Sequence, residues 1–257
     1  MTSVHHLQSK LKALKLGGML LTLETRLAQA QHEPLGFVDF LEMLLEDELE
    51  RRANKSLAIR IQRARFDEVK TFEEFDFSFD PSMPARQIRD LATCSFVQQH
   101  NSVIICGPVG AGKTHIAEAL GYEACKQGYG VLFTKTSHLL RDLGGGRADD
   151  TWEQRFRRYL KPDLLILDDF AMKELTSPQA EDLYELIDQR TGRASFAVTS
   201  NRNPQDWYPL FPNPVLAESA LDRLVNSSHH LVLTGKSYRS RLRPGQTQLV
   251  DGEVKAM

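Results

Sequence analysis

Between residues 7 and 65 the apolar positions recur at helical spacing. Leu7, Leu11 and Leu14 form one stripe, Leu20, Leu23 and Leu27 a second, and Val38, Leu41, Leu45 and Leu49 a third. Gly17-Gly18 and Pro34-Leu35-Gly36 interrupt the run, so the pattern predicts three helices, the last one long. Phe72, Phe75, Phe77 and Phe79, followed by Asp80-Pro81 and Pro84, then break the helical rhythm. We place a boundary there, between a small all-α N-terminal domain, 1–75, and a second domain, 76–257.

The second domain has a different rhythm. Short apolar runs at 102–106, 130–134, 163–167, 194–199 and 230–234 alternate with helical stretches, among them 85–98, 113–127 and 137–143, the last running into a Gly144-Gly145-Gly146 loop. Strands that are apolar on both faces and separated by helices predict an α/β fold, a parallel sheet flanked by helices.

Composition narrows the class without naming it. With 257 residues, 41% of them hydrophobic, the chain can bury one large core beside a helical module. A net charge of −2 announces no polyanion partner, so any DNA contact must come from local patches. Cys94, Cys106 and Cys125 show no C-x-x-C spacing, which argues against a disulfide framework or zinc module and fits a reducing compartment. Apolar runs fall short of a membrane span, and MTSVHHLQSK lacks the apolar stretch of a signal peptide; a cytoplasmic protein with no membrane partner is the expectation. His5-His6 and His229-His230 are adjacent pairs, and neighbours on a strand point to opposite faces, so we read them as structural.

The strongest chemical signal is Gly107-Pro108-Val109-Gly110-Ala111-Gly112-Lys113-Thr114. It matches G-x-x-x-x-G-K-[ST] and lies between a predicted strand and a predicted helix, where its chemistry needs it. Its glycines let backbone N–H groups turn toward phosphate oxygens, and the helix that follows offers its positive end to the same anion. Lys113 is the candidate for the β/γ-phosphates and Thr114 for Mg²⁺. Downstream, Leu164-Leu165-Ile166-Leu167-Asp168-Asp169 is an apolar strand ending in two carboxylates, a Walker B pattern. Asp168 is placed on the metal through water and Asp169 on the attacking water; a strand that merely ends at a helix cap is the plainer reading. Asn54-Lys55-Ser56-Leu57 lacks the Asp of a guanine-reading motif and precedes the phosphate loop, so ATP, not GTP, is the expected nucleotide.

With Thr199-Ser200-Asn201-Arg202, Leu221-Asp222-Arg223-Leu224 and Gly235-Lys236-Ser237-Tyr238-Arg239 in this order after the Walker motifs, the chain resembles the IstB family of insertion-sequence helper ATPases, relatives of the helicase loader DnaC. The resemblance spans nearly the whole chain and implies an AAA+ P-loop NTPase. It assigns Asn201 to sensor 1 between the Walker strands and Arg223 to an arginine finger that reaches a neighbouring subunit's ATP. A plain turn and a surface ion pair are their bland alternatives. Little chain follows Arg239, so the lid domain is expected to be reduced or absent, and no catalytic role is assigned to the tail. It could lie along DNA or another subunit.

Arg51, Arg52, Lys55, Arg60, Arg63 and Arg65 occur without an intervening acid on the third predicted helix and suit phosphate contacts, as they would also suit a solvated helix face. The related loaders use the helix after the second strand, which adds Lys135 and Arg141. The resemblance thus implies an ATP- and Mg²⁺-dependent ATPase that self-assembles on duplex DNA, selects or remodels a target and recruits a transposase. A DnaC-like helicase loader is its close alternative, and a small-molecule P-loop kinase or a non-hydrolysing scaffold the more distant ones.

Overall fold

The computed structural model describes residues 2–32, 35–235 and 237–238. The chain divides into two compact units, Met1–Arg60 and Ile61 onward.

The first unit is built from α1 (Thr2–Ala13), α2 (Gly17–His32) and most of α3 (Phe37–Ala64). Its core gathers Leu11 from the first predicted stripe, Leu23 from the second, and Met19 and Leu44 from neither, while the third stripe faces outward. Val38, Leu41, Leu45 and Leu49 are 46–76% exposed. The cause is the close approach of α3 to the start of α2. A Cβ on Gly18 would lie 2.5 Å from the Asp47 carbonyl oxygen and from the Glu48 Cα. The Glu48 carboxylate then receives the Gly18 N–H at 2.5 Å, capping α2. This contact turns the Leu44–Glu48 side of α3 inward, so Gly17-Gly18 starts a helix instead of only interrupting one.

The second unit follows the predicted alternation: α4 (Ala85–Ala92), α5 (Ser95–Gln98), β1 (Ser102–Cys106), α6 (Lys113–Lys126), β2 (Val131–Lys135), α7 (Thr136–Ala148), α8 (Trp152–Leu160), β3 (Leu164–Asp168), α9 (Ser177–Arg190), β4 (Ser195–Ser200), a 3-10 turn at Pro204–Leu210, α10 (Pro214–Asn226) and β5 (Ser228–Val232). The strands form one parallel sheet in the order β2-β3-β4-β1-β5. Leu165, Leu167, Phe196 and Val198 join α7 to α10 in a continuous core on one face. On the other face α6 packs closely: a Cβ on its Gly121 would meet Ile166 and Phe66 within 2.8 Å.

Three local expectations change. Residues 61–75, assigned from sequence to the helical domain, make their contacts with the larger unit: Phe66 lies 6.4 Å from Phe133, and Asp67 and Glu68 donate their N–H groups to Glu118. The single helix expected at 85–98 breaks at Cys94, which takes a left-handed φ of 56° and lets Ile88 and Leu91 as well as Phe96 and Val97 reach the core. Gly144-Gly145-Gly146 is no loop but part of α7, because α8 crosses there so closely that a Cβ on Gly146 would be 2.9 Å from the Trp152 Cα. Among the described residues no helix follows β5.

Candidate nucleotide site

A parallel sheet brings the C-terminal ends of its strands to one edge. Here that edge carries the loop after β1, the carboxylates ending β3 and, between them, the end of β4. The phosphate loop has all three glycines at positive φ: 154° at Gly107, 82° at Gly110 and 92° at Gly112. Each is also crowded by a specific neighbour. A Cβ would come within 2.4 Å of the Leu233 carbonyl oxygen at Gly107, 2.1 Å of the Ser237 hydroxyl at Gly110 and 3.0 Å of the Phe75 ring at Gly112. Gly112 caps α6, so the first turn of that helix opens directly onto the loop. Lys113, the first residue of α6, is buried and donates to the Pro108 carbonyl at 2.8 Å. Pro108, Val109 and Ala111 complete the turn, in which the Ala111 N–H bonds the Pro108 carbonyl. Phe75 also stands edge-on to His115, whose Nε2 is 2.9 Å from the Thr71 carbonyl, so the aromatic segment packs on the loop's flank.

Thr114 and Asp168, 54 residues apart in the chain, meet with Thr114 Oγ1 donating to Asp168 Oδ1 at 2.9 Å. The same carboxylate oxygen receives the Thr199 hydroxyl at 2.5 Å, and the Asp168 carbonyl receives the Thr136 hydroxyl at 3.0 Å. Burial pushes the Asp168 pKa up; the Thr199 and Thr114 hydrogen bonds oppose the rise, while Asp169 adds to it and Lys135 opposes it. Asp169 adopts φ 55°, which turns its side chain out to solvent while its N–H is held by Thr199 at 3.1 Å. The sequence gives Thr199 no role of its own beyond its place at the head of the Thr199-Ser200-Asn201-Arg202 motif.

Two hard oxygens on one point, a hydroxyl and a buried carboxylate, are the donors Mg²⁺ takes alongside phosphate and water. Among the described residues there is no cluster of three His, Cys, Asp or Glu side chains that would suggest a different metal centre.

Asn201 stands just beyond β4, between the two Walker strands, with its amide 3.4 Å from the Met172 sulfur. Arg223, on the last turn of α10, is ion-paired with Asp188 and stacks over Tyr184, both on α9. Asp222, its neighbour in sequence, instead accepts a hydrogen bond from the Asn226 amide at 2.6 Å.

The basic residues fall into two groups. Arg52 is paired with Glu48 at 2.6 Å, Arg60 with the Ser56 hydroxyl at 2.7 Å and Lys135 with Asp67 at 2.9 Å. Lys135 is also in register with Asp168, so its charge faces the Walker B carboxylates. Arg51, Lys55, Arg63, Arg65 and Arg141 are exposed. Arg147, Arg155, Arg157 and Arg158 are each ion-paired to an acid within α7, α8, α9 or the α7–α8 connection. Trp152 stacks on Phe156 and Trp207 is fully buried, so both are packing residues. Lys236, Arg239, Arg241 and Arg243 lie outside the described residues.

The model of the family described as IstB-like ATP binding protein matches residues 9–245. An ATP-binding protein of an insertion sequence from Mycobacterium tuberculosis is 52% identical over 243 residues, covering 94% of this chain and 96% of that protein. The insertion sequence IS21 ATP-binding protein of Pseudomonas aeruginosa is 35% identical, covering 92% and 89%. Among solved structures, DnaI aligns over 64% of this chain and 91% of its own with a TM-score of 0.57 at 18% identity. The DnaC helicase loader aligns over 68% and 98% with a TM-score of 0.52 at 21% identity. These structural likenesses establish the AAA+ P-loop fold. In this chain, no described helix is long and apolar enough to cross a membrane.

Proposed function

Because this chain belongs to the IstB-like ATP binding protein family and is an ATPase of the AAA+ P-loop type, we propose that it is a helper of transposition that assembles with its own copies on duplex DNA, selects or remodels the target and recruits the transposase. The observation that carries the reading is the shared edge of the sheet. The Gly107–Thr114 loop, the Thr114–Asp168–Thr199 cluster and Asn201 all meet there, whereas the described partners of Arg223 lie on α9. A half-buried arginine held on the flank of its own subunit by α9 is suited to complete a neighbour's site once Asp188 releases it.

In this reading Thr114 and Asp168 would hold Mg²⁺, which would supply neutralisation of phosphate charge. Lys113 leaves the Pro108 carbonyl for the phosphates, Asp169 orients the attacking water and Asn201 binds the γ-phosphate or that water. Arg223, contributed in trans, stabilises the transferring phosphoryl group. Bound nucleotide then lies between protomers, so ATP favours assembly and hydrolysis loosens it. Arg51, Lys55, Arg63, Arg65 and Arg141 offer sequence-independent contacts to the DNA backbone, with Arg52, Arg60 and Lys135 joining only if their present partners release them.

The test is ATP turnover per subunit against protein concentration, with and without duplex DNA, for wild type and Arg223→Ala. The proposal expects turnover that rises with concentration and with DNA and that collapses in the variant. A rate indifferent to concentration, DNA and Arg223 would remove it. A preference for single strands over duplex would favour the loader reading instead.

A further inference from the structure

The G-K-S-Y-R segment found no role in the chemistry above, yet its described residues lie against the phosphate loop. Leu233, which follows β5, donates its N–H to the Cys106 carbonyl at 2.8 Å and places its own carbonyl over Gly107. Ser237 sits over Gly110, and the Tyr238 N–H bonds the Gly110 carbonyl at 2.9 Å. The Tyr238 ring meets Phe79 edge to face, with centroids 5.0 Å apart and planes at 84°. Thr234 touches Ser82 through their hydroxyls at 3.1 Å, and Gly235 packs against Asp80 so tightly that a Cβ would overlap its carboxylate.

Two glycines of the loop are therefore covered by the segment after β5, and that segment is fastened in turn to the aromatic stretch before α4. From these contacts we infer that Tyr238 is a positioning residue: clasped by Phe79, it holds its own stretch of chain against the phosphate loop and keeps Gly110 in its left-handed conformation. A loop already in shape gives up less conformational freedom when it closes on phosphates. Removing the clasp therefore weakens nucleotide binding without touching the reacting atoms. The inference rests on Gly107–Thr114 being the nucleotide site.

Equilibrium binding of a fluorescent ATP analogue tests it, with thermal melting of each nucleotide-free variant and steady-state turnover alongside. An edge-to-face pair of this kind is worth about three- to tenfold in an equilibrium constant. Tyr238→Ala is expected to raise the dissociation constant and KM by about that factor, leaving kcat at saturating ATP and the nucleotide-free melting temperature near wild type. Tyr238→Phe keeps the ring and is expected to bind as wild type does; Phe79→Ala should match Tyr238→Ala. Wild-type affinity in Tyr238→Ala, or equal weakening in Tyr238→Phe, overturns the strap. Lys113→Ala separates the two levels of the argument: if it binds nucleotide as wild type does, the site itself is misassigned. If it loses binding while Tyr238→Ala does not, only the strap fails.

Discussion

Thr199 hydrogen-bonds both Walker B residues at once, giving its hydroxyl proton to Asp168 Oδ1 at 2.5 Å and receiving the Asp169 N–H at 3.1 Å. It thereby holds a buried carboxylate beside Thr114 and keeps the next residue in the left-handed turn that faces its side chain outward. Thr199→Val preserves shape but leaves a buried carboxylate short of a donor, at a cost of about 1–3 kcal/mol. Turnover is expected to fall roughly ten- to a hundredfold. The Mg²⁺ dependence of nucleotide binding should weaken with it. Thr199→Ser, which retains the hydroxyl, should recover most of both; equal losses in Val and Ser variants would assign Thr199 to packing.

Complementation between inactive subunits addresses Arg223. Alone, Arg223→Ala is expected to lose about a thousandfold in turnover, and Lys113→Ala to bind no nucleotide. A mixture pairs an intact phosphate loop in one subunit with an intact arginine in the other, so turnover should return on mixing. A mixture that stays inactive would place Arg223 within its own subunit's site or outside the chemistry.

Glu118 provides a pH signature. Burial pushes its pKa up to about 7, with the Asp67 and Asp168 carboxylates adding to the rise and the Asp67 and Glu68 N–H groups opposing it. Because the folded pKa lies above the unfolded one, the folded state binds the proton more tightly. Glu118's contribution to stability therefore falls as pH rises from about 4.5 to about 7 and is level above that. Glu118→Gln keeps an acceptor for both N–H groups without the charge. It is expected to be more stable than wild type by on the order of 1–3 kcal/mol at pH 8, with the advantage vanishing near pH 4.5. Denaturant midpoints at the two pH values check this; an advantage that does not depend on pH would refute it.

In the helical unit, Gly18→Ala drives a methyl group into the α3 backbone at Asp47 and Glu48. The helices must separate or α2 must lose its cap, and a destabilisation of about 2–4 kcal/mol is expected. Helical circular dichroism on melting should show it. Gly128→Ala is a suitable control: a Cβ there meets nothing within 4 Å, so only the cost of its positive φ remains.

DNA binding should sort the basic residues by their present partners. Lys55→Ala and Arg63→Ala are each expected to weaken duplex binding alike across sequences and to reduce the slope of log affinity against log salt by about one. Arg52→Ala, which takes a partner from Glu48, should act first on melting temperature. Unchanged slopes for Lys55 and Arg63 would move the DNA surface elsewhere.

Much of this molecule is written in local pattern. The phosphate loop, the Walker B strand, the parallel α/β alternation and the three N-terminal helices follow from spacing and turn chemistry, because each depends on residues near one another in the chain. Even the strand ends shifted by no more than two residues from expectation. Tertiary packing decided which side of α3 faces inward, since a glycine 30 residues from Glu48 sets the helix contact, and it extended α7 through three glycines because α8 crosses there. It also supplied Thr199 and Tyr238, whose partners lie in distant segments. A hydrophobic period shows that a helix has an apolar face; the backbone that approaches it, and the hydroxyl that reaches a carboxylate from a neighbouring strand, exist only once the sheet has brought those segments together.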